Sequence, residues 1–137
     1  MSLLSTKGIY GLHAMYQLFI TKSDKPMQIK EISSKADIPQ NYLEQLLILL
    51  RQAGLVSSVR GAYGGYLLAK SANDILIKDI LIALEGNLVV TDTEIKDPVL
   101  RIFYEESNAK IQEIFNLPLS DFEVYAQRLS SQFSYSI

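Results

Sequence analysis

The sequence predicts a mainly α-helical fold with one small β-hairpin and a long C-terminal helix. Apolar residues repeat at the spacing of one helix face in several segments, most clearly at Leu43, Leu46, Leu47 and Leu50. The stretch RGAYGGY at residues 60–66 separates two short apolar, β-branched segments, a pattern typical of a hairpin with a glycine-rich tip. Asp97-Pro98 begins a further apolar periodic segment that reaches residue 116.

Size and composition indicate one folding unit with room for an appended element. The chain has 137 residues, of which 48% are hydrophobic and 20% charged, as in ordinary globular proteins. Crossing a bilayer takes about 18 consecutive apolar residues, and the sequence has no such run and no visible secretory leader. We therefore expect a cytoplasmic protein with no membrane partner.

Several classes of site are excluded by residue counts. The chain has no cysteine, which rules out disulfides, thiol nucleophiles, thiolate zinc sites and cysteine-ligated iron-sulfur clusters. Its one histidine, His13, cannot form a metal site made of several imidazoles. No carboxylate pair or activated nucleophile has a recognisable setting. We expect no enzyme activity, no metal and no cofactor.

Charge is distributed unevenly along the chain although the net charge is only -2. Residues 1–70 contain eight Lys or Arg and four Asp or Glu, giving +4, whereas residues 71–137 contain five and eleven, giving -6. The basic half indicates a polyanion partner. The alternative is that this asymmetry is only solvated surface.

Three helices are predicted in the N-terminal third. Ser5 suits the N-cap of a helix at residues 6–21. A short helix at residues 29–36 ends before Pro39, because a residue that precedes proline avoids the α region. Pro39 suits the first position of a third helix, residues 40–53, which Gly54 terminates.

The second and third helices form a helix-turn-helix pattern, because the third begins with hydrogen-bonding side chains at Gln40, Asn41, Glu44 and Gln45. An ordinary helical hairpin is the alternative. The β-hairpin that follows, with segments at residues 55–59 and 67–69, favours a winged helix-turn-helix. In that fold the third helix reads the major groove of DNA, and glycines let the wing approach phosphate while Arg60 supplies charge and donors.

The rest of the sequence predicts three more helical segments. One includes Ile77, Ile80, Leu81 and Leu84 and ends at Glu85-Gly86, and residues 87–97 form a connection. The helix at 98–116 has more apolar surface than its place at the domain edge would bury, which indicates a partner helix. Ser120 is expected to cap a last helix that runs from 121 to about 129.

Several short motifs between residue 4 and about residue 86 match the sequence pattern of a known family, without insertions or deletions between them. They are LSTKG at 4–8, YLEQL at 42–46, LR at 50–51, AGLV at 53–56, SVRG at 58–61 and GGY at 64–66. In these motifs the chain resembles the IscR-type family of bacterial winged-helix transcriptional regulators. The resemblance implies a homodimer in which the long C-terminal helices pack together, and a palindromic double-stranded DNA operator.

The resemblance also assigns DNA-contacting residues. In the recognition helix they are Gln40, Asn41, Glu44 and Gln45, in the wing Arg60, Gly61, Tyr63, Gly64 and Gly65, and near phosphate Ser5, Thr6 and Lys7. Glu44 would accept a bond from a cytosine amino group, and Arg60 would bind guanine or lie in the minor groove. Tyr42 and Tyr66 are interpreted as core residues.

Two departures from the family pattern matter. Ala62-Tyr63 stand where the wing tip usually has proline and glycine, which puts a bulky ring on the wing. Many relatives bind an iron-sulfur cluster through three cysteines before the dimer helix, and residues 87–97 have none. A small ligand, a protein partner or no effector at all remain open as alternatives.

The sequence thus predicts a dimeric, sequence-specific DNA-binding regulator, a repressor that a cysteine-ligated cluster does not control. Residues 1–86 would form the winged helix-turn-helix domain, and residues 87–137 the connection, dimerisation helix and C-terminal helix. The alternative function is a winged-helix protein-interaction module that has lost operator reading. Weak, sequence-independent DNA binding would favour that alternative.

Overall fold

The described part of the chain folds into six α-helices and one two-stranded antiparallel sheet. A computed structural model describes the backbone of residues 2–22 and 24–136 and the side chains of residues 2–22 and 24–133. The elements are α1 (Thr6–Thr21), α2 (Ile29–Ala36), α3 (Gln40–Gln52), β1 (Val56–Val59), β2 (Gly65–Leu68), α4 (Ile77–Glu85), α5 (Pro98–Ile114) and α6 (Phe122–Ser136). The predicted mainly α fold with a hairpin wing is confirmed.

The core lies among α1, α2, α3 and α4. The leucine stripe of α3 is fully buried, as its spacing predicts, and packs against residues that include Met15 of α1, Ile32 of α2 and Ile80 of α4. Burying each such side chain stabilises the fold by about 1.5 to 3 kcal/mol. Tyr42 and Tyr66 are half-buried against this core, in agreement with their interpretation as packing residues.

α3 begins at Gln40 as predicted, but the role of Pro39 and the end of the helix differ slightly from prediction. Pro39 occupies the N-cap, with an extended ψ of 132°, so Gln40 and not Pro39 is the first helical residue. The helix ends at Gln52, one residue early. Gly54 then adopts a left-handed φ of 76°, and its N–H donates to the Arg51 carbonyl over 2.9 Å. Glycine tolerates this conformation without a Cβ clash, so it terminates the helix as expected.

The hairpin is also shifted relative to the prediction. β1 begins at Val56 and not at Leu55, and β2 spans Gly65–Leu68 and not 67–69. The ladder reaches further toward the tip because Val59 pairs with Gly65. Met27 lies beside β2 on its other side, and the backbone N–H groups of Met27 and Tyr66 donate to each other's carbonyl over 2.9 and 2.8 Å. The wing is therefore bound to the segment that leads into α2.

The helices α5 and α6 begin or end at different residues from those that the sequence predicts. α5 ends at Ile114 and not at 116, because the carbonyls of Phe115 and Leu117 accept bonds from the N–H groups of Lys78 and Ile77. Ser120 does not cap the last helix, since it lies inside a 3-10 turn at Leu119–Asp121. The last helix starts at Phe122 and continues to Ser136 because no Pro or Gly interrupts it.

α5 leaves most of its apolar side chains exposed. Within the described residues it contributes no buried side chain, and Val99 and Phe103 are 75% and 60% exposed. Exposed apolar residues continue on α6, at Val124, Tyr125, Leu129 and Phe133. None of the described helices combines the length and apolar character that a membrane span requires.

Candidate nucleic-acid interface

The first turns of α3 present a cluster of polar side chains to solvent. Gln40, Asn41, Glu44 and Gln45 are all exposed, whereas the four leucines of the same helix are buried. Gln40 and Glu44 are four residues apart, as are Asn41 and Gln45, so each pair shares a face of the helix. The structure thus brings these four predicted residues together on a surface that can donate and accept hydrogen bonds.

The turn between α2 and α3 fixes the direction of that surface. Asp37 adopts a left-handed φ of 56° and the Ile38 N–H donates to the Ser33 carbonyl over 3.0 Å. The Ser33 hydroxyl donates to the Ile38 carbonyl, and the Ile38 side chain is buried. Sequence reasoning did not identify this arrangement, although Ser33 and Ile38 hold the start of α3 in place.

The glycines of the wing have different surroundings. Gly61 is exposed, with a φ of 109° and no atom near the place of a Cβ. Gly64 is buried, and a Cβ there would overlap the Val59 carbonyl. Gly65 is half-buried, and its Cβ would lie 2.6 Å from the Met27 carbonyl carbon. Gly64 and Gly65 are therefore needed for the shape of the wing, and their contact with phosphate remains a prediction.

Two side chains project from the wing. Arg60 is exposed where the chain leaves β1. Tyr63, at the tip, is 92% exposed, so its ring packs on almost nothing in the described part of the chain. An aromatic ring exposed in this way is free to contact a partner, and its contact with DNA stays a prediction.

The start of α1 is held by a carboxylate from α4. Ser5, Thr6 and Lys7 are exposed, but Ser5 does not cap α1 with its own side chain. Instead Glu85 Oε1 accepts bonds from the Ser5 N–H, the Ser5 hydroxyl and the Gly8 N–H, over 3.0, 2.7 and 3.0 Å. A Cβ at position 8 would overlap this carboxylate. The Ser5 hydroxyl is therefore already bonded, and Thr6 and Lys7 remain predicted phosphate contacts.

Replacing Glu85 by alanine is expected to lower the free energy of unfolding by about 1 to 2 kcal/mol, because α1 loses its N-terminal cap and a favourable charge at that end. Urea denaturation measures the change. Glu94→Ala, which removes an exposed carboxylate in the connection, serves as the control and should leave stability unchanged. Equal stability of the two variants would show that the Glu85 contacts contribute nothing.

Comparison of the sequence with known proteins identifies one family and several related transcriptional regulators. The model of the Rrf2 family, described as iron-dependent transcriptional regulators, matches residues 4–129. The regulator CymR of Bacillus subtilis is 37% identical over 114 residues, which cover 82% of this chain and 83% of CymR. The regulator IscR of Photorhabdus laumondii is 40% identical over 88 residues, 64% of this chain and 54% of IscR. The match thus spans about half the length of IscR.

Solved structures agree with these relatives. The structure of B. subtilis CymR superposes with a TM-score of 0.80 at 37% identity, covering 91% of this chain and 98% of CymR. The structure of IscR from T. potens gives a TM-score of 0.76 at 37% identity, covering 90% of this chain and 87% of that one.

An iron centre of the cysteine-ligated kind does not fit these residues. The chain has no cysteine, and the connection at 87–97 offers only Asp92, Glu94 and Asp97 as acidic side chains. Among the described residues no three His, Cys, Asp or Glu side chains lie close enough to hold a metal ion.

The family match covers nearly the whole chain and agrees with the geometry described above. An exposed polar helix start and a wing with an exposed arginine stand on a common core. The N-terminal register on which the resemblance rests lies within the matched residues 4–129. The chain belongs to the Rrf2 family of transcriptional regulators, and its fold is that of a winged-helix DNA-binding regulator.

Proposed function

We propose that this protein is a homodimeric repressor that binds a palindromic operator in double-stranded DNA. The observation that carries the proposal is that four exposed polar residues at the start of α3 and a wing hydrogen-bonded to the α2 segment stand on one common core. Helix and wing then approach a duplex as one unit. Homology to named transcriptional regulators supports the same function.

The four polar residues of α3 would read base edges in the major groove. Asn41 and Gln45 carry amides that pair with adenine through two bonds, and the Glu44 carboxylate accepts from the amino group of cytosine. Arg60 would bind guanine or enter a narrow minor groove, with Tyr63 against the sugars. Thr6 and Lys7 would contact phosphate.

The exposed apolar side chains of α5 would form the dimer interface. Val99, Leu100, Ile102 and Phe103 are all more than half exposed, which is unusual for neighbouring apolar residues in a monomer. Packing α5 against its copy would bury them around a two-fold axis. Two recognition helices related by that axis would contact half-sites about one turn of DNA apart.

We propose that the protein acts by binding DNA and not by catalysis. It would bind its operator in the cytoplasm, without a cysteine-ligated iron-sulfur cluster. The relatives are named as transcriptional regulators, which supports the absence of an enzyme activity. A small ligand, a protein partner or no effector would then set the activity.

Selection from a randomised duplex library at near-physiological salt tests the proposal. We expect enrichment of a palindrome with half-sites about one helical turn apart. Glu44→Ala should alter the preferred base at one symmetric pair of positions, because it removes the acceptor for cytosine. Enrichment of no sequence, with weak binding that vanishes at moderate salt, would instead support the protein-interaction module.

A further inference from the structure

The connection between α4 and α5 folds back on α5 and forms a polar cleft with it. The cleft has a volume of about 460 Å³, within the range of about 300 to 1,000 Å³ that is usual for small-molecule sites. The sequence predicted only a connection here and no site. Polar residues from both segments are among those that line the cleft: Thr91, Thr93 and Glu94 from the connection, and Arg101, Glu105 and Asn108 from α5.

Hydrogen bonds hold the two walls of the cleft together. The Val90 N–H donates to Asn108 Oδ1 over 2.7 Å. Arg101 Nε donates to the Ile95 carbonyl over 3.0 Å, and Arg101 Nη2 donates to the Lys96 carbonyl over 3.3 Å. These bonds fix the connection against the first turns of α5. The cleft is therefore part of the folded chain.

The cleft lies on the side of α5 away from its exposed apolar residues. Arg101, Glu105 and Asn108 are separated by four and three residues, so they share one face of the helix. Val99 and Phe103 project from the opposite face, because an α-helix has about 3.6 residues per turn. A second copy of the chain packed on that apolar face leaves the cleft accessible to a small molecule.

Two carboxylates line the cleft without a cationic partner. Glu94 and Glu105 are both exposed, and in the described part of the chain no Lys, Arg or His nitrogen forms an ion pair with either of them. Two like charges that line one cleft repel each other, and a bound cation lowers their energy. An ammonium group has three N–H donors and can bond to more than one carboxylate. This part of the cleft has the composition of an ammonium site.

The same cleft also offers donors for an anion. Arg101 uses Nε and Nη2 for the backbone carbonyls, which leaves the N–H groups of its Nη1 for another acceptor. Asn108 accepts with Oδ1, so its amide N–H groups remain available as donors. The Thr91 hydroxyl accepts from the Thr93 N–H over 3.0 Å and keeps its own proton to donate. A guanidinium with amide and hydroxyl donors beside it is suited to a carboxylate.

We infer that this cleft binds a free α-amino acid, with the ammonium group at Glu94 and Glu105 and the carboxylate at Arg101. A simple amine leaves Arg101 without an acceptor, and a simple acid leaves the two carboxylates unpaired. Since the ligand joins the connection to α5, the helix that we propose pairs two chains, it acts as an effector of operator binding. The effector role rests on the proposed function, whereas the binding site does not.

Isothermal titration calorimetry of the full chain with each standard L-amino acid tests the site and identifies the preferred ligand. The methyl ester of that amino acid, which lacks the carboxylate, and its N-acetyl derivative, which lacks the ammonium group, are then titrated. Both should bind about tenfold more weakly or worse, because each loses charge-assisted hydrogen bonds. Saturable binding of no amino acid would overturn the inference. Equal affinity for the ester would also overturn it and make the cleft a site for amines.

Two variants locate the ligand within the cleft. Glu105→Gln removes one charge at nearly constant shape, so it should weaken the amino acid and the ester about tenfold and leave the N-acetyl derivative unchanged. Arg101→Lys loses the guanidinium fork and should weaken the amino acid and the N-acetyl derivative but not the ester. Glu113→Gln, which changes an exposed carboxylate of α5 outside the cleft, is the control and should bind as the wild type. Unchanged binding in Glu105→Gln, or an equal loss for all three ligands, would overturn the assignment.

Fluorescence anisotropy with the selected operator, with and without the amino acid, tests the effector role. Saturating amino acid should change the operator affinity of the wild type about fivefold or more, and Glu105→Gln should lose this response. An operator affinity that stays the same at saturation would overturn the effector role. Failure to select any operator would reject the proposed function alone, because calorimetry tests the cleft without DNA.

Discussion

Replacing Arg60 by alanine is expected to weaken operator binding by about 1 to 3 kcal/mol, roughly five- to 150-fold, and to relax the choice of base at the position it contacts. The guanidinium is exposed at the wing, and its fork of donors matches the acceptors of guanine. Fluorescence anisotropy with the selected operator and with duplexes changed at single base pairs measures both effects.

Two variants serve as controls for Arg60. Arg60→Lys keeps the charge, so it should recover binding to an unrelated duplex without recovering base discrimination. Arg128→Ala removes an arginine of α6 whose guanidinium lies 5.3 Å from the Tyr125 ring, far along the chain from the wing, and should leave DNA binding unchanged. Wild-type affinity and discrimination in Arg60→Ala would remove the wing from the interface.

Replacing Phe103 by aspartate is expected to dissociate the dimer and to lower operator affinity by about a hundredfold or more. The exposed ring of Phe103 would lie at the proposed interface, where an unpaired carboxylate costs several kcal/mol to desolvate. A monomer can contact only one half-site at a time, so the gain from linking two sites is lost. Sedimentation at micromolar concentration should then report a particle of 15.4 kDa.

Lys110→Ala is the matched control for Phe103, since it changes an exposed polar position on the same helix. It should sediment as a dimer and bind the operator normally. A wild-type chain that is already monomeric, or a Phe103→Asp chain that stays dimeric, would contradict the assignment of α5 to the interface.

Local patterns in the sequence were sufficient to predict most of the fold. The leucine spacing of α3 identifies a buried helix face, and the glycine-rich tip identifies the hairpin. Some of the errors lie where distant parts of the chain meet. α5 stops at Ile114 because later carbonyls bond to the start of α4, and no helix signal near residue 114 encodes those bonds.

In the candidate site, too, local features could be predicted from the sequence and contacts between distant residues could not. The polar start of α3 is a local feature, and the structure brings Gln40, Asn41, Glu44 and Gln45 together as predicted. The cap that Glu85 gives to Ser5 joins residues eighty positions apart, and such pairs leave no periodic signal. Likewise, Lys30 of α2, Arg51 of α3 and Arg60 of the wing line one groove only when these three elements are folded together.

Hydroxyl-radical footprinting of the selected operator, with the wild type and Arg60→Ala at saturating concentration, tests the central claim that two copies read DNA through α3 and the wing. We predict protected segments on both strands related by a two-fold axis about one helical turn apart, with the flanking protection at the wing lost in Arg60→Ala. Protection that is uniform along the duplex, or confined to one half-site, would contradict the proposal.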